Sequence, residues 1–161
     1  KGLFDKLIII RSAVPTRDMG FLPGNEKEKS EEYEEPYKNI AIELFGRGDA
    51  YEILKTKGLV YFMTTSFIRG VTIQDSVILI DECQNMSFHE LDSIITRVGQ
   101  GCRVIFSGDF RQADLTKNGL KDFIRVLKAM DKFDLIDFEI KDIVRSDFVK
   151  QYITAKTNLG L

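Results

Sequence analysis

The sequence predicts an α/β fold, a mostly parallel sheet with helices on both faces, and three observations predict it. Short β-branched apolar runs recur along the 161 residues, each too brief for a helix. Between them lie stretches whose apolar residues fall at helical spacing, and polar or glycine-bearing loops follow the strand runs. Strands that alternate with helices in this way build a parallel sheet, whose ligands bind beyond the carboxyl ends of the strands. The residues directly after each strand run are therefore the first candidates for chemistry.

The elements read in order as follows. Leu7-Ile8-Ile9-Ile10 is a buried strand that runs into the turn-rich stretch from Pro15 to Gly24, the first candidate loop. The charged run from Glu26 to Glu35 reads as solvated. A helix begins at about Pro36, with Ile40, Ile42, Leu44 and Phe45 as its apolar positions before Gly46. Asp49 is placed to cap a short helix that ends near Gly58, and Leu59 to Met63 is the second strand. Val77 to Ile80 is the third. Ser87-Phe88-His89-Glu90 has the form of a capping box, so a helix starts there and carries Leu91, Ile94, Ile95 and Val98 on one face before Gly99 and Gly101. Arg103 to Phe106 is a fourth strand, followed by the polar loop Ser107 to Lys117. Leu120, Phe123, Ile124 and Leu127 mark a helix, Leu135 to Ile140 a fifth strand, and Phe148 to Ala155 a last amphipathic helix.

Bulk properties narrow the function classes only a little. A net charge of -2 argues against a strongly basic nucleic-acid coat while leaving room for a local basic groove. Cys83 and Cys102 lack metal-ligand spacing and read as buried free thiols in a reducing, cytoplasmic setting. No apolar run reaches the ~20 residues of a membrane span, and no signal-peptide layout opens the chain, so no membrane partner is expected.

The residues that carry chemistry follow the third and fourth strand runs. Asp81-Glu82 closes the run Val77-Ile78-Leu79-Ile80, where two carboxylates are costly unless a cation or hydrogen-bond donors meet them. In a nucleotide hydrolase the first of such a pair, here Asp81, holds Mg²⁺, and the second, Glu82, orients and polarises the water that attacks the γ-phosphate. A capped, solvated strand end is the plain alternative. Gln84 places an amide just beyond the acids, suited to sensing a phosphate or bridging to nucleic acid. Ser107-Gly108-Asp109-Phe110-Arg111-Gln112 follows the next strand. Its glycine permits close backbone approach to a ligand, and Gln112 suits a hydrogen bond to the γ-phosphate or the attacking water.

Asp-Glu-x-Gln, then a strand, then Gly-Asp-x-x-Gln resembles motifs II and III of superfamily 1 helicases. The closer resemblance is to the PhoH-like family. It rests on Gly20-Phe21-Leu22-Pro23-Gly24, Arg69-Gly70, Asp81-Glu82-Cys83-Gln84-Asn85, Thr96-Arg97, Gly108-Asp109 with Gln112, Asp114-Leu115 and Val144-Arg145, in order and spacing over nearly the whole chain. The resemblance implies a RecA-like P-loop NTPase core that binds ATP and Mg²⁺ and hydrolyses ATP, coupled to RNA or single-stranded DNA. Asp81, Gln84, Gly108, Asp109 and Arg97 are then the expected cofactor contacts. A one-domain ATPase of this kind takes its transition-state arginine from a neighbour, which implies a homo-oligomeric ring, a hexamer for example. Arg145 is the first candidate finger and Arg97 the second, while each also suits an ordinary surface ion pair.

One departure stands out: these 161 residues contain no G-x-x-x-x-G-K-[ST] phosphate loop. In related ATPases the strand feeding that loop lies beside the Gly-Asp strand, so its absence predicts an internal vacancy in the sheet. The expectation is a single PhoH-like ATPase domain over 1–161, incomplete at its N-terminus. Weaker signals are a basic stripe at Lys117, Lys121, Arg125 and Lys128, which also reads as a solvated helix face, and loop phenylalanines Phe21 and Phe110, placed to stack on bases or to anchor their loops. Arg69 suits a strand-end carboxylate or nucleic acid, and His89 has no ligand partner at metal spacing. Two other functions compete. A metal-dependent nuclease would use Asp81, Glu82, Asp109 and Asp114 around two ions, and a non-catalytic assembly domain would keep only the scaffold.

Overall fold

The structure is a computed structural model that describes residues 3–12, 26–68, 70–109 and 119–160, of which 26–30 by their backbone alone. The Pro15 to Gly24 stretch, Arg69, and residues 110–118, with Phe110, Gln112, Asp114 and Lys117, lie outside the described residues.

Four strands form one sheet: β1 (Lys6–Arg11), β2 (Val60–Thr64), β3 (Ser76–Asp81) and β4 (Arg103–Phe106), in the order β2-β1-β3-β4 with every pair parallel. This is the predicted RecA-like α/β architecture, with helices on both faces. The faces follow from the direction of travel, since each parallel crossover is right-handed. From β1 the chain moves outward to β2 through α1 (Glu26–Phe45) and α2 (Ala50–Thr56). It then returns past β1 to β3 and continues to β4 through α3 (Phe88–Ile95) on the opposite face.

Side-chain alternation along the strands assigns the core residues. Ile9 packs with Tyr37, Ala41, Ala50, Tyr51 and Val60, the layer under α1 and α2. Ile8 and Ile10 point the other way, level with Ile78 and Ile80 of β3, and Ile10, Ile78 and Ile80 are completely buried. Each such side chain contributes about 1.5–3 kcal/mol on burial. Phe106, the register partner of Ile80, meets the ring of Phe123 in α4 (Leu120–Lys128) at 5.4 Å, and Phe123 meets Phe88 of α3 at 6.1 Å.

Residues Lys1–Arg125 and Val126–Leu161 are two compact units. The second contains a 3-10 turn, Ile140–Asp142, and α5 (Asp147–Asn158), whose N-cap Ser146 accepts from the Val149 amide.

Several expectations need correction. Leu135 to Ile140 forms no strand: it runs unpaired into the 3-10 turn, with Leu135, Ile136 and Phe138 exposed. A strand exists only through its ladder, and β4 is the edge of the sheet among the described residues. The helix expected from Pro36 begins at Glu26 and contains that proline. Its buried face is Glu34, Tyr37 and Ala41, while Ile40, Ile42, Leu44 and Phe45 are exposed. The acidic run is therefore helical, and one of its acids is buried and ion-paired, Glu34 to Lys55 at 2.7 Å. Asp49 occupies the N-cap of α2 without capping it, because its carboxylate takes Arg47 at 2.6 and 2.8 Å. In α5, Phe148 and Tyr152 are exposed. Cys83 is buried and Cys102 only half-buried; both are free. No helix among the described residues is long and apolar enough to cross a membrane.

Candidate active site

The chain reverses its direction across the sheet between β1 and β3, and in parallel sheets the crevice at that point, beyond the carboxyl ends, is where ligands bind. The last paired residues there are Arg11 and Asp81. Glu82 follows in a left-handed conformation, φ 51 and ψ 40, which costs a side-chain-bearing residue about 1–2 kcal/mol. Strain of this kind concentrates at working sites, and here it turns the chain sharply off β3 into the 3-10 turn Cys83–Asn85.

Two backbone bonds tie this turn to the end of β4. Ser107 donates to the Ile80 carbonyl at 2.8 Å, and Cys83 donates to the Ser107 carbonyl at 3.0 Å. Gln84 completes the tie. Its side chain is 4% exposed, with Nε2 donating to Glu82 Oε2 at 2.6 Å and Oε1 accepting from the Asp109 amide at 3.2 Å. The two motif loops are thus joined through one buried amide. Gly108 makes this possible, because a Cβ there would lie 2.6 Å from Gln84 Oε1 and 2.7 Å from Cys83 Sγ. Burial pushes the Cys83 thiol up to about 11, which keeps it neutral beneath the acids.

Each carboxylate also has a partner from outside its own loop. Tyr37 of α1 donates its phenol to Asp81 Oδ2 at 2.5 Å. Burial, then the bond to Asp81, raises the phenol far above its ordinary range, so it stays a donor. Arg11 stands 3.9 Å from Glu82 Oε1, with its guanidinium 5.9 Å from the Tyr33 ring. The Glu82 side chain is 42% exposed, open enough to meet a ligand and water.

The residues flagged in the sequence do not all fall together. Asp81, Glu82, Gln84, Gly108 and Asp109 converge at the carboxyl ends of β3 and β4. Arg97 is at the other end of the sheet, where its carbonyl accepts from Ile73, ahead of β3, and its guanidinium folds back onto Ser93 and Thr96 of α3. A six-residue strand spans roughly 20 Å, so Arg97 and Asp81 stand at opposite ends of β3. Arg145 is exposed, one residue before the N-cap of α5 in the second unit. Gln112 lies outside the described residues.

Sequence reasoning missed two site residues. Arg11 carried a usable signal, a polar residue closing an apolar strand run just as Asp81 does. Tyr37 carried none, since its place depends on which face of α1 is buried.

Comparison with known proteins gives the same frame. The family model described as PhoH-like protein matches residues 1–156. The chain belongs to the PhoH-like family. It is 33% identical to a PhoH-like protein of Bacillus subtilis over 96% of the chain and 49% of that relative. It is 36% identical to Protein PhoH2 of the same organism over 70% of the chain and 26% of the relative. Protein PhoH of Escherichia coli is 28% identical over 94% of the chain and 44% of its own length. The PhoH-like chain therefore spans about half the length of these curated relatives, or less.

The residues present fit a magnesium nucleotide. Magnesium takes one or two carboxylates, keeps several waters and leaves other positions to phosphate oxygens. Asp81 closes β3 and is partly exposed, and among the described residues the ion pair of the neighbouring Glu82 is the long one to Arg11, 3.9 Å. No group of three or more His, Cys, Asp or Glu converges on a metal position among the described residues.

Proposed function

We propose that this chain is part of a PhoH-like ATPase core, supplying the metal-holding and water-polarising side of the ATP site, with RNA or single-stranded DNA as the polymer to which hydrolysis is coupled. The observation that carries the reading is the junction at Gln84, which fixes Glu82 against the loop that begins Gly108-Asp109. A lone acidic strand end has no need of such a link. A hydrolase does, because the acid that polarises water must keep its place relative to the loop that senses phosphate.

In this proposal Asp81 would hold Mg²⁺, which when bound supplies charge neutralisation at the β- and γ-phosphate oxygens. Glu82 would accept a hydrogen bond from the attacking water and so orient and polarise it. Gln112 senses the γ-phosphate from its loop. Arg145 is the residue proposed to reach the site of a neighbouring copy in a ring, a hexamer for example. The phosphate cradle comes from sequence beyond these 161 residues, which agrees with the greater length of the relatives. Its strand is proposed to pair with the open edge of β4, completing one ATPase domain.

A fluorescent ATP analogue titrated with Mg²⁺ tests this, using the chain alone beside a version extended upstream through a P-loop strand and helix. Binding by the extended version only is the expected result. Tight binding by the short chain would place the phosphate contacts elsewhere, and binding by neither would remove the ATPase reading. The nuclease alternative would draw on Asp81, Glu82, Asp109 and Asp114, and it predicts cleavage with Mn²⁺ or Mg²⁺ without ATP, abolished by Asp109→Ala.

A further inference from the structure

We infer that Tyr37 is a positioning residue for the metal-holding carboxylate: its phenol fixes Asp81 in one rotamer and leaves the second oxygen of that carboxylate for the cation. This inference rests on the ATPase reading above. Tyr37 is 44 positions away from Asp81 in sequence and reaches it from α1, an element that carries none of the motif residues.

The geometry is built rather than incidental. Tyr37 is 9% exposed and belongs to the apolar layer with Ile9, Ala41, Ala50, Tyr51 and Val60. Its ring lies 5.9 Å from that of Phe62, tilted by 42°. α1 is held in turn by the buried Glu34, which takes Lys55 of α2. The ring therefore has little freedom, and its hydroxyl meets Oδ2 of Asp81 at 2.5 Å. A phenol is a neutral donor with an ordinary pKa near 10. It satisfies one carboxylate oxygen without cancelling the negative charge a cation needs. A lysine in its place would compete with the metal.

Carboxylates that hold metals are commonly fixed by such outer hydrogen bonds, and loss of one costs about 10–100-fold in metal affinity or activity. Tyr37→Phe removes only the hydroxyl and retains the ring that packs on Phe62.

The test uses the upstream-extended chain, with Mn²⁺ binding read by the electron paramagnetic resonance of the free ion in the presence of ADP, and the Mg²⁺ dependence of ATP turnover measured beside it. Circular dichroism checks the fold of each variant. Tyr37→Phe is expected to weaken Mn²⁺ binding about 10-fold and to raise the Mg²⁺ concentration for half-maximal turnover similarly, while KM for ATP at saturating Mg²⁺ moves less than about 2-fold. In an Asp81→Asn background, Tyr37→Phe is expected to add nothing, because the two residues act as one unit. Unchanged Mn²⁺ affinity in Tyr37→Phe would overturn the inference, as would an equal loss in the Asp81→Asn background. Absence of turnover in the unaltered protein would remove the ATPase reading instead, with the Mn²⁺ titration still deciding the role of Tyr37. If no Mn²⁺ binding depends on Asp81, both fall.

Discussion

Gln84 donates to Glu82 at 2.6 Å from inside the protein, and the other end of the same amide receives the Asp109 backbone. Sequence suggested that this glutamine would face a phosphate or nucleic acid. The structure engages both ends of its amide with the protein, Glu82 at one and the loop after β4 at the other.

Gln84→Glu keeps the shape of the side chain but removes the donor and sets a second carboxylate against Glu82. Turnover by the upstream-extended chain should fall at least about 10-fold, and the loss of a buried hydrogen bond should cost about 1–3 kcal/mol of stability. Undiminished turnover would show that Gln84 does not act through Glu82.

Gly108→Ala should destabilise the protein by about 1–3 kcal/mol, as overpacking does. The new methyl would arrive 2.6 Å from Gln84 Oε1 and 2.7 Å from Cys83 Sγ, both buried. Thermal unfolding monitored by circular dichroism checks this, and an unchanged melting temperature would refute the close packing of the two loops.

Arg11→Met should lower turnover less than Gln84→Glu does. The Arg11–Glu82 pair is long at 3.9 Å and partly solvated, 24% and 42% exposed, so solvent screens it. A larger loss than that of Gln84→Glu would reverse the assigned order of the two partners.

The capping box of α3 supplies a stability test with a definite sign. Glu90 accepts from the Ser87 backbone at 2.8 Å and from Thr65 at 2.8 Å, while the Glu90 amide donates to Ser87 Oγ at 3.3 Å. Burial pushes the Glu90 carboxyl up, but the bonds from Ser87 and Thr65 outweigh it and hold the group below the usual glutamate range. A carboxyl lowered on folding contributes stability above its unfolded pKa, about 4.3, and that contribution fades as pH falls through the lower folded value. Glu90→Gln should therefore be less stable than the unaltered chain at pH 7, and the gap in denaturant midpoint should narrow on acidification below about pH 4. A gap independent of pH would contradict the box as described.

Much of the scaffold was legible because its signals are local. Ser87 and Glu90 announce a helix start through three-residue spacing, and Ile78 and Ile80 announce a buried strand through their side chains alone. Asp81 and Glu82 stood out because charge at the end of an apolar run needs a physical reason. What escaped was set by tertiary choice. α1 carries two apolar faces, and only packing against Ile9 and Val60 decides that Tyr37 and Ala41 go inward while Ile40 and Leu44 stay out. The strand expected at Leu135 to Ile140 failed for a related reason: its β-branched and apolar character is real, but a strand is made by its neighbour, and among the described residues none pairs with it.

The most direct test of the central claim is single-turnover ATP hydrolysis by the upstream-extended chain in Mg²⁺, with and without Glu82→Gln. Both proteins should bind the nucleotide with similar affinity, and the variant should lose at least about 100-fold in the hydrolysis rate, the scale of a general base. Hydrolysis at an undiminished rate in Glu82→Gln would contradict the account, since the acid turned off β3 and held by Gln84 would then have no part in the chemistry.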